Sequence, residues 1–336
     1  MLPSVQAIHE AQATRPLNAD GRPLLFTLSI TLSIRQLLTH TNSIPGSYWY
    51  FVYPNVTTQD VLFSLPHFTA LYFHVFETGK CQHKKAYDTA VLQFTNMIKN
   101  CLATHTGGLL YHGYDPTRTY PIWGNLNRRG HSQSIWGRAM GWTVTGLLLT
   151  LDVIPPNDPH SVQLREMFST LMRAIHVAQD KETGAWWQVM DYPRRRGNYL
   201  ESSATGMFAH AMARGARLGY LPRDPYVNAS RKAYEWLHEN AVVELEDGLL
   251  GYNRTVDLCS INSTTAFDVS CPLFSWFNER VTDFLVLQYY VSRPLKPDSL
   301  LGEVGAILTD VELMLLEGEK DGTLNCTAPA HPYLGR

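Results

Sequence analysis

What this sequence lacks narrows it first. No apolar run reaches the roughly 18 residues of a membrane span, so no membrane partner is expected. There is no basic stripe: 28 Lys and Arg stand against 30 Asp and Glu, a net charge of -2. That balance lacks the electrostatic footprint of a nucleic-acid binder. Cysteine is scarce. Cys81, Cys101, Cys259, Cys271 and Cys326 form no CxxC and sit at no metal-ligand spacing from histidine. Cys259 and Cys271 could bridge in an oxidising compartment, but most of the five read as buried thiols, because free Cys packs as a small hydrophobe. No DDxxD or comparable acid cluster is present, which argues against terpenoid-cyclase chemistry.

What is present is apolar, aromatic and repetitive. With 336 residues, 45% of them hydrophobic, the chain can bury a large core as one long domain or two. An eight-residue phrase occurs twice, GLLYHGYD at 108–115 and GAWWQVMD at 184–191, with a weaker copy from Gly248. Each phrase follows an amphipathic stretch and a turn. Such spacing predicts repeated helix–turn–strand–helix units whose loops share one rim.

Five glycosylation sequons, at Asn55, Asn228, Asn253, Asn262 and Asn325, favour secretion, with a cytoplasmic location as the alternative. The first 20 residues carry no signal-type apolar region. LLFTLSITLSI at 24–34 has that length and reads either as a displaced signal region or as a helix.

Apolar residues spaced by three and four predict helices over 24–40, 60–78, 83–103, 133–153, 160–179, 200–218, 226–243, 277–290 and 303–317. YWYFVYP at 48–54 reads as extended. Paired helices with short strands at matching places predict an all-α toroid of helical hairpins; a solenoid is the alternative.

In the toroid reading several chemical groups fall at helix starts near one rim. Asp60 opens one helix, SIWGRAMGW (134–142) forms another, and Glu201-Ser202-Ser203 opens a third. An acid, a guanidinium and aromatics converging on a pocket suit a carbohydrate acid: aromatics cover sugar faces, Arg holds a carboxylate, and an acid moves protons. Each has a plainer reading. Asp60 and Glu201 can be helix caps. Arg138 can be a core residue in a salt bridge, His112 a satisfied half-buried histidine, and Arg194–Arg196 a solvated run.

Taken in order, YPNVTTQDVLFSLPHF (53–68), GLLYHGYD, WGN (123–125), SIWGRAMGW, AQDKETGAWWQVMD (178–191), the NYLESS segment (197–221) and YYVSRPLKPDSLLGEVGAILTDVE (289–312) resemble glycoside hydrolase family 105, the unsaturated rhamnogalacturonyl and glucuronyl hydrolases. The resemblance implies an (α/α)6 barrel over 48–317. It leaves 1–47 as an N-terminal segment (a partial first hairpin or displaced signal region) and 318–336 as a tail. It also implies a substrate: an oligosaccharide ending in a 4,5-unsaturated uronic acid, released after hydration of its vinyl ether. This differs from two-carboxylate displacement, and the resemblance implies neither a metal nor an organic cofactor. By matching position, Asp60 is the first acid. His112, Trp123, Arg138, Trp142, Trp187, Gln188 and Tyr199 face the sugar. Asn125 stands where the resemblance leads one to expect the main acid/base Asp. An amide cannot exchange a proton as a carboxyl does, so either Asp60 or Asp115 takes the role, or the loop aligns differently, or the protein is a weak or silent glycan-binding homologue.

Overall fold

The computed structural model describes residues 55–76, 80–121, 123–124, 127–259 and 289–320. The segments 1–47 and 48–54, Asn125, most of the helix expected at 277–290 and the tail beyond 320 lie outside these residues.

Within them the chain is helical: α1 (Val61–Phe76), α2 (Lys80–Cys101), α3 (Gly137–Leu151), α4 (Pro159–Val177), α5 (Ser202–Arg217), α6 (Arg223–Asn240) and α7 (Leu300–Lys320). Helices α1, α3, α5 and α7 pack side by side as an inner layer, with α2, α4 and α6 outside them. Burial separates the layers. Helix α5 buries every residue from Ser202 to Ala213. Helix α4 buries only a stripe, including Leu164, Phe168, Leu171, Met172 and Ile175, as a helix with one wet face does. Gly206 and Gly305 let α5 and α7 meet backbone to backbone; a Cβ on Gly206 would stand 2.8 Å from the Gly305 carbonyl carbon.

Local chemistry sets the helix ends. Asp158 caps α4 by accepting from the His160 N–H, with Pro159 in the first turn. Helix α3 starts at Gly137, later than the expected 133. Residues just before it are extended because they pair with the second phrase: Trp136 bridges Val189, and Met190 N donates to Ile135 O at 2.9 Å. Helix α7 runs to Lys320, three residues past the expected end at 317.

The phrases form the short antiparallel elements that tie hairpins to the rim. The first supplies β3 (Leu109–Leu110), paired with β2 (Leu102–Ala103), and β4 (Gly113–Tyr114), paired with β1 (Thr57–Thr58). It therefore lies beside the lead-in to α1. The second lies beside the lead-in to α3, where Gly137 N donates to Gln188 O at 3.0 Å. The third contains β6 (Leu250–Tyr252), paired with β5 (Val242–Glu244), and Ser202 N at the start of α5 donates to Arg254 O. Each phrase thus flanks the N-terminal end of the inner helix in its own hairpin. The fifth residue of each copy (His112, Gln188 and Tyr252) is buried.

Candidate active site

Asp60 and His112, 52 positions apart, meet at the mouth of the inner helices. The lead-in strand places Asp60 immediately before α1, and the pairing of β1 with β4 brings the first phrase alongside. His112 Nε2 lies 2.9 Å from Asp60 Oδ2. The imidazole is 1% exposed and the Asp60 side chain 19% exposed, so the pair is closed behind and open at the acid. Asp60 precedes the first residue of α1, and the partner its carboxylate has there is the imidazole. His112 Nδ1 lies 2.7 Å from the Tyr290 hydroxyl. Burial pushes the Tyr290 phenol well above its ordinary value, so it stays a neutral hydroxyl.

Trp136 and Gln188 hold this group from behind. The Trp136 ring lies 4.9 Å from the His112 ring. Its indole N–H donates to Gln188 Oε1 at 3.1 Å, and Gln188 Nε2 donates to the Tyr290 carbonyl at 3.3 Å. Gln188 is fully buried, with both ends of its amide committed. It braces the pocket wall and does not present a face to solvent, which corrects the sugar-facing role expected of it. Beside it Cys259 is a buried thiol, pushed up to about 12 by desolvation.

Arg138 is also corrected. Its guanidinium is 1% exposed and donates to the carbonyls of Val256 at 2.7 Å and Asp257 at 2.6 Å. It stacks over Trp136 at 4.8 Å and lies 3.9 Å from Glu201. Glu201 accepts from Ala204 N, Val256 N and the Ser203 hydroxyl. The plainer readings therefore win here: Glu201 caps α5, and Arg138 pins the 256–257 segment to the helix starts.

The other expected sugar-facing residues are dispersed. Trp142 touches Phe63 at 4.6 Å between ring centres and lines an apolar cavity of about 520 Å³ between α1, α3, α5 and α7. Neither Asp60 nor His112 lines that cavity. Trp123 is buried against Val56 and Tyr120. Trp187 is half-buried and donates to Asp180 Oδ2 at 3.3 Å. Tyr199 packs at the edge of the cluster of Trp136, Val189 and Tyr290. Asp115, the other acid considered, is 1% exposed. Its oxygens accept from the backbone N–H groups of Thr117, Thr119 and Tyr120, so both are spent on tying its own loop.

Tyr290 was not among the residues expected at the site. It stands 178 positions from His112, and its only sequence trace is the YYVSR stretch. Among the described residues no cluster of three or more His, Cys, Asp or Glu side chains is arranged to hold a metal ion.

A buried imidazole thus stands against a solvent-facing carboxylate at the mouth of a two-layer helical ring, an arrangement suited to acid–base chemistry. The family model described as Glycosyl Hydrolase Family 88 matches residues 38–314 of this chain. The chain belongs to that family. Like other family 88 members, it is a glycoside hydrolase. It is similar to Protein Atu3128 of Agrobacterium fabrum, 32% identical over 232 residues, which cover 68% of this chain and 91% of that protein. The solved structure of a family 105 glycoside hydrolase from C. acetobutylicum ATCC 824 matches with a TM-score of 0.72 at 29% identity, covering 85% of this chain and 73% of that one. The expected likeness to family 105 and the six-hairpin toroid are thereby borne out. The Unsaturated 3S-rhamnoglycuronyl hydrolase of Formosa agariphila is 29% identical over 132 residues, 39% of this chain and 34% of that protein.

Proposed function

We propose that this family 88 hydrolase releases a 4,5-unsaturated uronic acid from the non-reducing end of a lyase-generated oligosaccharide, with Asp60 as the acid. The observation that carries the assignment is the Asp60–His112 contact at 2.9 Å. Protonated Asp60 gives its proton to C4 of the vinyl ether. Water adds at C5 and returns a proton to the carboxylate, so the acid is restored and one water is consumed. The resulting hemiketal rearranges and frees the aglycone sugar. His112 Nε2–H stabilises the carboxylate left when the proton departs. A rhamnose-containing aglycone, as in rhamnogalacturonan fragments, is the favoured substrate; the name of the Formosa relative supports a rhamnose neighbour.

The test is loss of the vinyl-ether absorbance on incubation with lyase-generated disaccharides of several polysaccharides. Folded protein that consumes none of them overturns the reading. The glycan-binding alternative, which rests on Asn125, has its own discriminator. It requires Asn125→Asp to create activity; unchanged activity in that variant, with turnover abolished by Asp60→Asn, excludes it. Secretion is proposed from the five sequons and is checked by glycosidase-sensitive mass on expression in a eukaryotic secretory host.

A further inference from the structure

We propose that Tyr290 is a positioning residue that fixes the tautomer of His112, so that Nε2–H always faces Asp60. This rests on the reading of Asp60 as the acid. The geometry leaves few arrangements. His112 has two partners, Asp60 Oδ2 at 2.9 Å from Nε2 and the Tyr290 hydroxyl at 2.7 Å from Nδ1. The carboxylate that Asp60 becomes once its proton has gone to C4 can only accept, so in that state Nε2 carries the hydrogen. A neutral imidazole then has a bare Nδ1, which only a donor can satisfy, and the Tyr290 hydroxyl is that donor. The direction of the chain is Tyr290 O–H to Nδ1, then Nε2–H to Asp60.

The hydroxyl is itself held in place. Tyr290 is 3% exposed. Its carbonyl is bound by Gln188 Nε2, and its ring lies 6.1 Å from Trp136 and 5.4 Å from Tyr289. The charged and titratable groups around it are Asp60, Asp191, Cys259 and Tyr289. Arg138, stacked on the neighbouring Trp136, is committed to backbone carbonyls. Asp191 accepts from Ile135 N. Among the described residues the Tyr290 hydroxyl is the hydrogen-bond partner of Nδ1, so its loss leaves a buried acceptor open. The imidazole is then free to take the opposite tautomer, with Nε2 accepting a hydrogen bond from protonated Asp60. In that form the acid's proton is held by the histidine and does not reach C4.

The experiment compares wild type, Tyr290→Phe and a protein carrying 3-fluorotyrosine at 290, which keeps the donor. Nitrogen NMR of the His112 ring, assigned with His112→Gln, reads the tautomer without substrate. Wild type and the fluorotyrosine form should show Nε2–H alone, and Tyr290→Phe a mixture or the opposite form. Turnover on the disaccharides should fall roughly tenfold to a hundredfold in kcat for Tyr290→Phe, the effect of one buried acceptor left open. KM should stay unchanged, and the fluorotyrosine form should recover most of the loss. A folded Tyr290→Phe protein that keeps pure Nε2–H overturns the proposal, as does one that keeps wild-type kcat. Wild type that hydrates no substrate overturns the reading of Asp60 and leaves the NMR result to decide the tautomer on its own.

Discussion

The two ends of the inner helices carry polar clusters of similar make-up and opposite character. At the mouth, Asp60 has one bond to an imidazole and remains 19% exposed. At the far end, Arg214 binds both oxygens of Asp152 and also Glu312 Oε1, while Arg217 Nε holds Glu312 Oε2 at 2.6 Å. Burial alone would raise the Glu312 carboxyl, but Arg217 and Arg214 hold it below its ordinary value. The far end is a clamp joining the ends of α3 and α5 to α7. A cluster of charges is therefore not a site in itself. What separates the two is whether an acid keeps a free oxygen toward solvent or spends both on guanidinium groups.

The sharpest break in that comparison is substitution of each acid by its amide. Asp60→Asn should lower kcat by about 10²- to 10⁴-fold, the usual weight of a general acid, with an unchanged melting curve. Glu312→Gln should do the reverse: activity per folded molecule stays near wild type, while denaturant unfolding shows a loss of up to about 3–5 kcal/mol, because two partly buried arginines lose their counter-charge.

Acid should also separate the ends. Burial lowers His210, beside the clamp, from 6.5 to about 4. Below pH 6.5 the unfolded chain takes up a proton that the folded one refuses, so stability falls between about pH 6.5 and 4. The loss reaches about 3 kcal/mol. His210→Phe should flatten unfolding free energy against pH over that window; an unchanged slope would contradict the assignment. The smallest expected effect is Gln188→Leu at the mouth. It strands the Trp136 indole N–H and should cost about 1–3 kcal/mol in stability, with a lower kcat following from a displaced Tyr290.

Much of this was legible in the sequence where one local rule governs. Period-three and period-four spacing located every described helix, because each hairpin buries a continuous apolar stripe. The phrase repeat indicated loops on one rim, and the pairing of His112 and Gln188 with neighbouring lead-ins explains why its fifth position is buried. Asp60 and His112 were legible as individual residues, but their contact depends on the pairing of β1 with β4, two residues a side, too short to leave a pattern. Arg138 and Gln188 misled for one physical reason. Residue type shows that a group can bind a sugar, but not that 256–257 and Tyr290 reach it first. Tyr290 was invisible because its partner lies 178 residues earlier and only tertiary packing joins them.

That separation bears on how the protein comes into being. The acid and its imidazole belong to a single hairpin and its trailing phrase, 52 positions apart. The hydroxyl behind them arrives on a far later stretch of chain. During synthesis from the N-terminus, Asp60 and His112 emerge together well before Tyr290 does. The hydrogen-bonded relay is completed only when the later half of the molecule has folded onto the earlier half. Chemical competence at the mouth is therefore a report on the completed tertiary structure, and a prematurely ended chain would carry the acid without the means to aim its neighbour.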